Sequence, residues 1–133
     1  MGRTRTPVAA GIVLDTGALI ALERGDKRMI ALLQRALVQG RVFRVPAGVV
    51  GQVWRNGRVQ ATLARFLRSE EVEIVPLDEQ LARACGELCG AAGASDVIDA
   101  SVVILARERQ CPVVTSDPND LRRLDPTAQI IAV

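Results

Sequence analysis

GIVLDTGALIAL, residues Gly11–Leu22, decides the fold because its periodicity changes at one residue. Gly11–Asp15 is a short apolar run stopped by a carboxylate, the pattern of a strand buried on both faces. From Thr16, which is placed to cap a helix, Ala18, Leu19, Ala21 and Leu22 recur at helical spacing. A strand that runs directly into a helix is the opening of a layered α/β unit.

The same alternation continues downstream. After Gly25–Asp26, Met29, Ile30, Leu32, Leu33 and Leu37 predict a second helix ending at Gly40. Arg41–Val45 reads as a strand, and Pro46 opens a helix carrying Val49, Val50, Val53 and Trp54 that closes at Asn56–Gly57. Leu63, Phe66 and Leu67 mark a further helix before the strand Val72–Val75. Asp78 and Ser95 are placed to cap two more helices, the first ending near Gly93 and the second holding Val97, Ile98, Val102, Ile104 and Leu105. The strand Pro112–Thr115, a short helix opened by Pro118 and a last strand, Gln129–Val133, complete the chain. Short strands alternating with longer helices imply an α/β fold: one three-layer domain over residues 1–133, with a central, mostly parallel sheet of four to five strands and helices on both faces.

Composition narrows the chemistry. The 133 residues are 49% hydrophobic and 24% charged, with a mean hydropathy of +0.21, as expected of a globular chain. There is no His and no Tyr, and Lys27 is the only Lys beside 16 Arg. Ser–His–Asp triads, His-ligated zinc and Tyr nucleophiles are therefore excluded. Charge is unevenly spread: 27–69 holds nine bases and no acid, whereas 70–133 holds five bases and twelve acids. A basic third of this kind suits a polyanion or an acidic peptide. Cys85, Cys89 and Cys111 cannot all pair within one chain and are too few for an all-thiolate zinc site, so a reduced, cytoplasmic protein is expected. The opening MGRTRTPVAAGIVLD is broken by Pro7 and stopped at Asp15. It reads as a flexible leader over 1–10 rather than an export signal, and no membrane-spanning stretch follows.

Five carboxylates fall where an open parallel sheet builds its sites, beyond the carboxyl ends of the strands. Asp15 ends the first strand, and Asp117 follows the fourth. Asp96 and Asp99 share one face at the start of a helix, and Asp120 lies three residues after Asp117. Taken singly, Asp15, Asp96 and Asp117 also suit helix starts. Asp99, between Ile98 and Ala100, is harder to accommodate, because a buried unpaired carboxylate is costly. A cluster of like charges calls for a cation. With no His and no suitable Cys set, oxygen ligands point to Mg²⁺ or Mn²⁺, ions that activate water and clamp phosphoryl oxygens. With an Arg-rich flank, this pattern fits phosphodiester hydrolysis.

Four motifs then carry a resemblance: VLDTGALIAL, VPAGVVGQVWR, SDVIDASVVILA and VVTSDPNDL, in order from Val13 onwards. The chain resembles PIN-domain ribonucleases, and most closely the VapC-type toxins of bacterial toxin–antitoxin pairs, along essentially its whole length to Val133. The resemblance implies a PIN-like sandwich and a Mg²⁺- or Mn²⁺-dependent endoribonuclease that cuts transfer or ribosomal RNA until a small antitoxin protein occludes it. It assigns metal ligation to Asp15, Asp96 and Asp117, with Asp99 and Asp120 as accompanying acids. It also implies an antitoxin groove on the helices around Val49–Trp54 and Leu63–Leu67, and a homodimer through late helices.

One position departs from the family pattern. Gln52 stands where the family usually places Glu, keeping an oxygen ligand but supplying no charge. A second reading follows from it: a PIN-like RNA- or protein-binding module with weakened catalysis. Thr16 and Ser116, beside two of the acids, suit either helix capping or a bond to a ligand carboxylate or phosphate. Arg41, Arg44, Arg55 and Arg58 of the basic stretch suit RNA phosphates. With Trp54, Phe43 and Phe66 as the only aromatics, base stacking cannot dominate recognition. A phosphoacceptor receiver domain would need a Lys after the last parallel strand, and Lys27 is misplaced. Neither GxxxxGK nor GxGxxG occurs, which removes the common nucleotide-binding loops.

Overall fold

A computed structural model describes residues 11–133; the expected leader over 1–10 lies outside the described residues. The elements are β1 (Ile12–Leu14), α1 (Thr16–Glu23), α2 (Lys27–Val38), β2 (Phe43–Pro46), α3 (Ala47–Val53), α4 (Ala61–Leu67), β3 (Val72–Val75), α5 (Glu79–Ala92), α6 (Val97–Arg109), β4 (Val113–Thr115), α7 (Pro118–Leu124) and β5 (Ile130–Ala132). All five strands are parallel, in the order β3-β2-β1-β4-β5. The expected α/β sandwich is present, with a sheet wholly rather than mostly parallel.

That strand order fixes where a site can form. From β1 the chain steps to β2 and then β3, and afterwards crosses back to β4 and β5 on the other side of β1. Right-handed crossovers in opposite directions put α1–α4 on one face and α5–α7 on the other. β1 and β4, the two neighbours at the reversal, are buried along their whole length, as strands covered on both faces must be. The crevice beyond their carboxyl ends is the topological switch point, where open α/β sheets bind ligands.

Packing follows the apolar pattern. Phe43, Val45, Leu19 and Met29 are fully buried between sheet and helices. In α6, Ala100–Ala106 are all buried, so this helix is enclosed on every side; it packs on β1, β2 and β4, with α5 and α7 against it. Among the described residues, no single helix is long and apolar enough to cross a membrane.

Two expected helix starts shift by one residue, for the same reason. α1 is capped by Asp15, not Thr16, and α6 by Asp96, not Ser95. A carboxylate beside the first amides of a helix accepts their N–H bonds and meets the positive end of the dipole, and here it displaces the neighbouring hydroxyl. Pro46 likewise ends β2 and precedes the first turn of α3 instead of entering it.

Candidate active site

β1 and β4 are paired so that Val13 faces Val113 and Leu14 faces Val114, which brings Asp15 alongside Thr115 at the switch point. Asp15 is only 6% exposed. Its Oδ1 accepts the Ala18 N–H at 2.9 Å, and its carboxylate also accepts from the Gly17 amide and the Thr115 hydroxyl. Burial nevertheless prevails and raises its pKa above the usual carboxylate range, with the charge of Asp117 adding to the effect.

Thr115, fully buried, serves both acids. Its hydroxyl donates to Asp15, and its Oγ1 accepts the Asp117 N–H at 2.9 Å. One side chain therefore fixes the relative positions of the two strand ends. Gly17 allows the first turn of α1 to lie against the loop after β4, since a Cβ there would overlap the Ser116 hydroxyl.

The other acids arrive on helix starts. Asp96 Oδ1 accepts from the Ile98 and Asp99 amides at 3.0 and 2.9 Å. Asp99 then projects from the first turn of α6, at the mouth of the most enclosed helix. Its pKa is pushed up to about 6, first by burial and then by Asp96, Asp120, Asp15 and Asp117. All five sequence-predicted acids are thus gathered closely enough for Asp99 to feel the other four. Among the described residues none of them pairs with an Arg or Lys. A cleft of about 320 Å³ opens here, lined by Ser95, Asp96, Asp99, Asp120 and Arg123.

Gln52 reaches the same region from α3. The Thr16 hydroxyl donates to its Oε1, joining the residue after Asp15 to α3. Gly48 lets the start of α3 approach α6, because a Cβ there would stand 3.0 Å from Ile98 Cγ1.

The predicted basic residues are not gathered in this way. Arg44 lies near the start of β2, against Gly11, where it pairs with Glu73 at 3.0 Å and contacts Cys111 Sγ at 3.8 Å. Glu73 also meets Arg109 at 3.8 Å. That is the amino end of the sheet, opposite the acids. Arg41 precedes β2 at the same end. Arg55 and Arg58 are exposed on the loop between α3 and α4. Arg55 donates to the Gly51 and Trp54 carbonyls, while the buried Gln60 side chain accepts the Arg55 and Asn56 amides, both at 2.8 Å.

Two site residues escape the sequence reading. Thr115 belongs to an apolar strand and reveals itself only by its neighbours across the sheet. Arg123 lies three residues beyond Asp120, a spacing that puts both on one face of α7, and it makes no ion pair among the described residues.

The donor set is all oxygen and carries uncompensated negative charge, the chemistry that suits a hard divalent cation. Among the described residues, no three acidic or thiol side chains already stand at the spacing of a closed metal cage. Mg²⁺ does not require one, because it keeps several waters and uses one or two carboxylates together with substrate phosphates.

Comparison with known proteins agrees with this architecture. The PIN domain family profile matches residues 12–125. No curated protein matches the chain. Similar solved structures include VapBC2 from Rickettsia felis bound to a DNA fragment from their promoter, with a TM-score of 0.68 and 16% identity over 92% of this chain and 98% of that one. A toxin–antitoxin complex from Klebsiella pneumoniae has a TM-score of 0.69 and 14% identity over 92% and 97%. VapC20 of Mycobacterium tuberculosis, a sarcin-ricin-loop-cleaving toxin, has a TM-score of 0.61 and 18% identity over 77% and 87%.

Proposed function

Because the chain belongs to the PIN domain family, we propose that it is a divalent-metal-dependent endoribonuclease toxin, held inactive by a small cognate antitoxin. One observation carries the reading. Asp15, Asp96, Asp117 and Asp120 stand close enough to Asp99 to act on its charge, and among the described residues none of the five makes an ion pair. Such crowding is costly for the protein alone and is relieved by a cation.

Asp15, Asp96 and Asp117 are the residues that would hold the ion. When bound, Mg²⁺ or Mn²⁺ activates water and stabilises charge on the phosphoryl oxygens. Asp99, standing among the other four acids, is suited to orient the attacking water and receive its proton, while Asp120 orients water from α7. Arg123, at the rim of the cleft, supplies a guanidinium fork for a phosphate oxygen. Asp15 remains an aligned acceptor because Thr115 and the first amides of α1 fix its carboxylate. The substrate class is RNA of the transfer or ribosomal type, the working form a cytoplasmic homodimer, and the antitoxin the protein partner.

A second reading is favoured by Gln52, whose Oε1 is already engaged by the Thr16 hydroxyl. With a neutral group there, turnover falls and the chain acts as an RNA- or protein-binding module. Sequencing of RNA ends after induced expression decides between the two. Discrete new 5′ ends in transfer or ribosomal RNA, absent with Asp15→Asn or Asp96→Ala, establish the nuclease; unchanged RNA ends with folded protein present leave the binding module.

A further inference from the structure

The described residues hold a second recessed surface, which shares no lining residue with the acidic cleft. α2 packs chiefly on α1 and buries Met29, Leu33 and Ala36. A different flank of the helix, Arg28, Ala31, Leu32, Arg35 and Gln39, borders a groove of about 470 Å³. Ile12 and Ile131 complete an apolar floor, and Arg41 also borders the groove. Ile131 belongs to β5, an edge strand paired on one side to β4.

Arg28 and Arg35 form no ion pair among the described residues. Lys27 and Arg28 occupy the first turn of α2, which contains no acid. Cations there oppose the helix dipole, each by about 0.3–1 kcal/mol, and the capping Asp26 is engaged with the Met29 amide. Arg28 and Arg35 are seven residues apart on one helix, which sets their Cα atoms about 10 Å apart along its axis.

We propose that this groove is a docking site for an acidic, amphipathic peptide segment of a partner protein. Its apolar side chains cover Leu32 and Ile131, and two carboxylates about 10 Å apart, two turns of a helix, meet Arg28 and Arg35. An apolar floor gives nothing to a phosphate backbone, and the lining includes no aromatic ring on which a base can stack, so peptide is favoured over RNA. The inference is independent of whether the chain cleaves RNA.

A random dodecapeptide library selected on the immobilised full chain tests it. Recovered peptides are expected to carry Asp or Glu about seven residues apart with Leu, Ile or Val between them, and to bind in fluorescence polarisation. Their affinity should fall at least tenfold with the double variant Arg28→Glu/Arg35→Glu, fall with Leu32→Asn, and weaken in 0.5 M salt. Circular dichroism confirms that each variant is folded. Peptides without acidic enrichment, or binding both variants like the native chain, overturn the proposal. So does displacement of the peptide by a labelled 20-nucleotide RNA that itself requires Arg28 and Arg35, or a dimer in light scattering that these variants dissociate, which assigns the groove to a second copy.

Discussion

Replacing Asp99 by Asn removes one charge from the centre of the acidic cluster while keeping the shape of the side chain. Folding moves this carboxyl from 3.8 to about 6, which at 1.36 kcal/mol per pH unit corresponds to an upper limit of ~3 kcal/mol. Solvent reaches the half-buried group, so about 1–2 kcal/mol is the expected share. The sign follows from proton linkage. The folded chain binds this proton more tightly than the unfolded one, so stability declines as pH rises from about 4 to about 6 and the cost is fully present at pH 7. Asp99→Asn should therefore raise the melting temperature in EDTA at pH 7 by roughly 4–8 °C, and by little at pH 4. Added Mn²⁺ should stabilise the native chain more than the variant, since the ion relieves the same repulsion. Thermal unfolding followed by circular dichroism at both pH values gives the answer. A variant no more stable than the native chain at pH 7 would refute the idea that uncompensated carboxylates meet at Asp99.

Three further outcomes are expected. Thr115→Val leaves the buried Asp15 carboxylate and the Asp117 amide each short of one hydrogen-bond partner, at a cost of about 1–3 kcal/mol in denaturant unfolding; Thr115→Ser should recover most of it. Gln52→Glu adds a negative charge beside Thr16 and should tighten Mn²⁺ binding about tenfold in calorimetry, with unchanged affinity counting against any contact between Gln52 and the ion site. Asp125 is held below the usual carboxylate range by the Thr127 hydroxyl and amide, against its own desolvation, with help from Arg107. Its stabilisation is thus present above about pH 4 and lost as pH falls, so Asp125→Ala should lower the melting temperature at pH 7 by the equivalent of about 1–2 kcal/mol and much less at pH 3.

The fold was legible in the sequence because strands buried on both faces appear as unbroken apolar runs. IVL before Asp15 and VVT before Ser116 announce both strands of the switch point. Their adjacency was not legible, because β1 and β4 are a hundred residues apart and nothing local specifies that the chain doubles back. The clustering of the acids was legible because each ends a strand or stands at the start of a helix, where sequence position and spatial position coincide. The basic residues have no such anchor. Arg44 appears in sequence as one of nine cations in an acid-free stretch, yet the register of β2 against β3 sets it opposite Glu73, and it pairs there instead of facing the cleft. Thr115 lies inside a strand in an apolar context, and only its cross-strand neighbour gives its hydroxyl a task. Capping was misassigned by one residue at Asp15 and Asp96 because a carboxylate and a hydroxyl stood side by side and either could accept the first amides.

The most direct test follows cleavage of labelled RNA by the purified chain as Mn²⁺ is titrated from zero, beside Asp15→Asn and Asp96→Ala proteins of confirmed fold. The account predicts cleavage that rises with the ion to saturation, stops on chelation and is absent from both variants. RNA left intact by the native chain at every Mn²⁺ concentration, or cut equally well by the variants, would contradict it.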